Sequence, residues 1–128
     1  MKYTNAFIIA FAEAVYEIVN DKELKFPAKV NYAIQKNFKT LYSIYQELEA
    51  ERVKVCQEYS TGLENGVYLF EDAEKRELAE KELNDLMVME QEVNIMKFNI
   101  DALGDIELTS RQMDVLMNMI KDDEDGQE

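Results

Sequence analysis

The sequence predicts a helix-rich α+β fold, in which a long helical pair (a hairpin or coiled-coil-like arrangement) carries a small C-terminal β/α unit. Three observations lead there. Phe7, Ile8, Phe11, Ala14, Val15 and Ile18 recur at steps of three and four, the period of a single helix face. Between Pro27 and Gly62 there is no Gly or Pro, so a second helix meets no internal stop. After Gly62 the pattern divides into short pieces separated by turn residues. A chain of 128 residues is one domain at this size. We place that domain at residues 1–121 and read 122–128 as an acidic, disordered tail.

The first helix is expected over about 4–20, with Thr4 or Asn5 as its cap. Its apolar N-terminal run resembles a leader only superficially, because Glu13 and Glu17 interrupt it and the helical spacing continues to Val19. A cytoplasmic location with reduced Cys56 follows. Asn20-Asp21-Lys22 reads as a break.

The second helix is expected over about 27–59, with Pro27 in its first turn, where the missing N–H has no intrahelical partner to lose. Such a helix is about 50 Å long. Its apolar stripe is Val30, Ile34, Phe38, Leu41, Tyr45, Leu48, Val55 and Tyr59. Ile34, Leu41, Leu48 and Val55 stand seven apart, a coiled-coil-like seam that also takes in Arg52. The part from Leu41 through Tyr45, Leu48, Arg52 and Val55 to Tyr59 outruns a first helix of about 16 residues. A homo-oligomer, most simply a dimer, is therefore expected to cover it.

Asn65-Gly66 is a turn signal before a short strand at about 67–70. Asp72 can cap a third helix over about 73–89, with Leu78, Ala79, Leu83, Leu86 and Met87 facing inward. Residues 92–100 are β-like, with a slip between Ile95 and Met96 that predicts a bulge or a strand covered on both faces. A further edge is expected at 106–108. Thr109 and Gln112 match a capping box for a last helix over about 110–121, with Met113, Leu116, Met117 and Ile120 inside.

Composition narrows the chemistry. Lys and Arg total 14 against 27 Asp and Glu, a net charge of −13, with one Cys, no His and no Trp. A single Cys excludes a disulfide framework and a multi-Cys zinc site. The absence of His removes the commonest general base and metal ligand. Cys56 sits in a helix without a His to activate it, which favours a structural thiol. The scattered Gly form no phosphate loop. Glu13/Glu17 and Glu47/Glu51 are i,i+4 carboxylate pairs, but a di-metal bundle site adds Glu-x-x-His motifs that are missing. The tail's Asp122-Asp123-Glu124-Asp125-Gly126 resembles a calcium loop but stops short of its twelfth position. We therefore expect no catalytic residues, no metal and no cofactor. So acidic a chain is also expected to bind neither nucleic acid nor an anionic membrane.

Two surfaces remain as candidates. From Leu24 to Gln46 there are four Lys and no acidic residue, so this stretch opposes the charge of the rest. Lys29, Tyr32, Lys36, Lys39 and Ser43 fall on one arc, opposite the apolar seam. Lys29, Tyr32, Lys36 and Lys39 can hold a phosphate, a nucleotide or an acidic partner, or can simply form a solvated face. The opposite pole is acidic: Glu71, Asp72, Glu74, Glu77, Glu80 and Asp85, with Glu82, Glu90 and Glu92 beside them. It can imitate the phosphate field of nucleic acid and occupy a basic groove, or serve only solubility. The Met residues are read as core fillers.

Several segments together carry a resemblance. These are Phe26-Pro27-Ala28-Lys29-Val30-Asn31-Tyr32-Ala33-Ile34-Gln35-Lys36-Asn37, Glu51-Arg52, Glu58-Tyr59, Asn65-Gly66, Lys81-Glu82-Leu83-Asn84-Asp85-Leu86, Glu90-Gln91-Glu92-Val93 and Ile106-Glu107-Leu108-Thr109 through Ile120. Over most of the chain beyond Leu24 it resembles small uncharacterised proteins of phages and prophages of Gram-positive gut bacteria. The resemblance implies a viral setting, in which small acidic proteins inhibit host defence or act as virion accessories. It supplies no catalytic residues. The expected function is a non-enzymatic binding protein that inhibits an antiviral defence factor, in the manner of an anti-CRISPR protein. It would do so by acidic docking on a host defence protein or by sequestering a nucleotide signal. The alternative is a tail or assembly accessory that oligomerises through the long helix.

Overall fold

Thr4 starts the first helix: its Oγ1 accepts the Phe7 N–H at 3.1 Å, satisfying one of the donors that an α-helix leaves free at its start. The computed structural model describes residues 1–121; the expected acidic tail lies outside them. The elements run β1 (Lys2–Thr4), α1 (Asn5–Val19), α2 (Ala28–Tyr59), β2 (Gly62–Glu64), β3 (Val67–Leu69), α3 (Ala73–Val88), β4 (Glu90–Glu92) and α4 (Ser110–Leu116). Short 3₁₀ turns occupy Ile100–Leu103 and Met117–Met119. The fold is α+β and helix-rich, built on a long helical pair with two small antiparallel strand pairs.

Pro27 stands just before α2 rather than within it: its backbone is extended, with φ −54° and ψ 151°, and its carbonyl accepts the Asn31 N–H. α1 returns along the first part of α2, burying Ile8, Phe11, Val15 and Ile18 against Val30, Ala33, Ile34 and Leu41. The rest of α2 is partly covered within the same chain, with Leu48 and Cys56 buried. α3 packs on it, and the Tyr59 hydroxyl donates to Glu82 at 3.1 Å. The expectation that the seam needs a second protomer considered only the first helix as cover. With 15 and 16 residues, α1 and α3 together match the 32 residues of α2. The length of α2 therefore carries no argument for a dimer.

Asn5 holds the joint between α3 and α1. It is buried, its backbone N–H donates to the Met89 carbonyl and its side-chain amide to the Leu86 carbonyl. Carbonyls at the end of α3, where the helix runs out of its own N–H donors, are thus capped by the first residue of α1, with the Leu86 carbonyl also accepting the Met89 N–H at 3.4 Å. Gln91 donates to the Asn5 Oδ1 at 2.6 Å. β1 and β4 seal this joint in antiparallel register, Lys2 opposite Glu92 and Thr4 opposite Glu90. β1 was not expected, because three residues give no periodicity to detect.

The Asn65-Gly66 signal corresponds to a tight hairpin. β2 and β3 pair with Glu64 opposite Val67, and Asn65 and Gly66 both have positive φ, at 53° and 79°. This conformation matches the twist of the paired strands.

The C-terminal segment differs most from expectation. The β-like stretch 92–100 is a strand only at its start, in β4, and then runs without regular pairing. It still reaches the core, with Val93 and Phe98 buried and Ile95 packed beside them, but the five-residue step from Val93 to Phe98 breaks simple alternation, as the slip at Ile95-Met96 predicts. Its backbone is satisfied elsewhere: buried Asn37 of α2 donates to the Met96 carbonyl at 2.8 Å and accepts the Met96 N–H at 2.7 Å. Residues 106–108 form no strand and lay Ile106 and Leu108 against the core. The Thr109–Gln112 capping box is present, but α4 ends at Leu116 and tightens into the 3₁₀ turn. Ile120 then becomes extended and bridges Phe98. That change of period turns Met119 inward and leaves Met117 exposed. Leu78, expected inside, is also exposed, and Ala79 is the buried residue of α3.

Asn37→Leu would leave both Met96 backbone groups without their protein partner. We expect it to cost about 2–4 kcal/mol, read as a lower urea midpoint; an unchanged midpoint would show that this amide holds nothing.

Candidate functional site

Helical periodicity places Lys29, Tyr32, Lys36 and Lys39 together on α2, turned away from buried Val30, Ala33 and Ile34, and all four are exposed. The Lys36 Nζ lies 5.9 Å from the Tyr32 ring centroid, within cation–π reach. No ion pair engages these lysines among the described residues. They occupy the outside of one helix, and none of the grooves described below includes them.

The acidic pole is likewise on the surface, with Glu71, Asp72, Glu74, Glu77, Glu80 and Asp85 all exposed. Their situations differ. Asp72 is the N-cap of α3, its Oδ1 accepting the N–H groups of Glu74 and Lys75 at 3.0 and 3.2 Å. Glu80 pairs with Arg76 at 3.2 Å, an exposed i,i+4 contact of small energy. Glu71, Glu74, Glu77 and Asp85 have no ion-pair partner among the described residues. Glu74, Glu77, Leu78 and Lys81 line a shallow groove of about 590 Å³, so an exposed apolar side chain sits among the carboxylates.

The seam is divided by burial. Leu41 and Leu48 are buried; Tyr45, Val55 and Tyr59 are half-buried. Arg52 lies at the surface and donates to Glu49 through Nε and Nη2 at 3.0 and 2.6 Å. That bond holds the Glu49 carboxyl below its usual range and raises Arg52 further. Arg52 Nη1 also lies 3.8 Å from the Cys56 sulfur, and Cys56 is buried.

A third surface joins residues that stand apart in the sequence. Between α1 and α2 runs an open groove of about 480 Å³, lined by Ala12, Glu13, Tyr16, Glu17, Tyr42 and Tyr45. Its three tyrosines belong to a continuous aromatic row that runs through Phe38: Tyr16 and Phe38 lie 6.0 Å apart between centroids, Phe38 and Tyr42 5.3 Å, Tyr42 and Tyr45 5.9 Å. Tyr16 is 54% exposed and Tyr42 40%. Phe38, Tyr42 and Tyr45 stand at i, i+4 and i+7, a spacing visible in the sequence. Tyr16 comes from another helix, and only the packing brings it there. Glu13 and Glu17 form the polar wall, and Glu17 meets Arg111 at 3.3 Å. No cluster of three or more metal-ligating side chains occurs among the described residues, and none of their helices is long and apolar enough to cross a membrane.

The Arg52–Glu49 pair sets a pH-dependent contribution. Because the Glu49 pKa is lowered in the fold, its contribution is present above the ordinary carboxylate range and is lost as pH falls through the folded value. Both side chains are over two-fifths exposed, so Arg52→Ala should cost less than about 1 kcal/mol at neutral pH. The gap from the parent protein in thermal midpoint should close on acidification below about pH 4. A gap independent of pH would instead assign Arg52 a packing role against Cys56.

No protein family matches this chain, and neither a curated protein nor a solved structure shows detectable similarity to it.

Proposed function

We propose that this is a non-enzymatic binding protein that seats the acidic face of α3 in a basic groove of its target. The target in this reading is an antiviral defence factor in the cytoplasm of a bacterium, and the chain is an inhibitor encoded by a phage or prophage. One observation carries the docking mode: α3 presents Glu74 and Glu77 without ion-pair partners among the described residues, beside an exposed Leu78 and Lys81, with exposed Asp85 further along the helix. Between positions 71 and 85 there are seven carboxylates against three basic side chains. A basic groove built for nucleic acid would meet there both a phosphate-like field and an apolar contact.

The geometry favours this mode over sequestration of a nucleotide by the lysine face. Ligands of that size are bound in concave sites that bury most of their surface, whereas Lys29, Lys36 and Lys39 stand on the outside of a helix. The virion-accessory alternative draws on an uncovered seam, whereas α3 packs on α2 in the same chain, with Leu41 and Leu48 buried and Tyr45, Val55 and Tyr59 half-buried.

The test is expression of the chain in bacteria that each carry one defence system, followed by phage plating. Plaques should recover in at least one strain, and the triple reversal Glu74→Lys, Glu77→Lys, Glu80→Lys should abolish recovery. With the target purified, binding should weaken steeply as salt rises and should compete with DNA. Full protection by the reversed variant would rule out acidic docking; no recovery in any strain would remove the anti-defence reading.

A further inference from the structure

We propose that the groove between α1 and α2 is a receptor for an arginine side chain of a protein partner. The occupant follows from the chemistry of the two walls. One wall is aromatic, with the Tyr42 and Tyr45 rings only 10° from parallel and both lining the groove. A guanidinium stacks on such rings while its N–H donors stay free in their own plane. The other wall supplies acceptors for those donors. Glu13 is exposed and has no hydrogen-bond or ion-pair partner among the described residues, while Glu17 already accepts a guanidinium, that of Arg111, at 3.3 Å.

Other occupants fit less well. An anion would face two carboxylates in a chain of net charge −13. A wholly apolar group would face Glu13 without offering it a donor. A lysine ammonium can reach the carboxylates but has no plane to stack and no forked donors.

This site is independent of the α3 face, and its test separates the two. The probe is the peptide acetyl-Gly-Arg-Gly-amide, titrated into the labelled protein and followed by NMR, beside matched peptides carrying citrulline or lysine. The arginine peptide should move the signals of Glu13, Tyr16, Tyr42 and Tyr45 at millimolar concentration. Neutral citrulline and the lysine peptide should each bind at least about three-fold more weakly. Glu13→Gln and Tyr42→Leu, both at exposed positions, should each weaken the arginine peptide to a similar extent. Glu74→Gln combined with Glu77→Gln should leave its affinity unchanged. Equal binding of arginine and citrulline peptides, equal binding of the lysine peptide, or shifts confined to α3 would overturn the proposal. So would a loss of affinity on the α3 variant that Glu13→Gln does not reproduce.

Discussion

Everything in this molecule is arranged around the need to cover α2, a helix of about 48 Å with apolar side chains along its whole length. No other helix among the described residues is that long. The solution is to place two helices in succession: α1 over the first part and α3 over the second, meeting at Asn5. Burying an apolar side chain contributes roughly 1.5–3 kcal/mol. The stripe from Val30 to Cys56 can therefore order the chain only if both covers are in place. The joint is where such an arrangement is weakest, because one helix ends there and another begins. Asn5 removes the weakness by supplying donors to the end of α3 while it starts α1.

A second amide does similar work in the middle of the molecule. Asn37 is 1% exposed, and burying its polar atoms is tolerable only because both bond to the backbone of Met96. One side chain thereby takes over hydrogen bonds that a neighbouring strand would otherwise make. It lets an irregular segment deliver Val93 and Phe98 to the same core as α1 and α2. The C-terminal residues close that core through the Phe98–Ile120 bridge.

Because α1, α3 and the C-terminal segment all bury their inner faces around α2, three chemically different outer faces remain. The lysines follow the first half of α2, the carboxylates follow α3, and the tyrosines line the seam between α1 and α2. These faces are convex and basic, shallow and acidic, and concave and aromatic. The shallow acidic face suits the rim of another protein's basic groove. The concave aromatic groove suits a single inserted side chain.

The sequence by itself determined the helices, because helical period, caps and the long gap between Pro27 and Gly62 are local properties. Thr4, Asp72 and the Thr109–Gln112 box mark three helix starts that can be read without tertiary context. Asn65-Gly66 similarly announces its hairpin. The exposed lysines and carboxylates were legible as well, since their positions follow from the same helical period. Tertiary structure alone decided what lies against what. The pairing of β1 with β4, the Asn37–Met96 bonds and the meeting of Tyr16 with Phe38 link residues far apart in the chain, and no local pattern encodes them. The stretch 92–100 shows the physical reason most directly. Its apolar residues correctly marked a segment entering the core, but a regular strand needs a continuous neighbouring backbone; here Val93 and Phe98 find backbone partners in different segments, and at Met96 a buried asparagine takes that place.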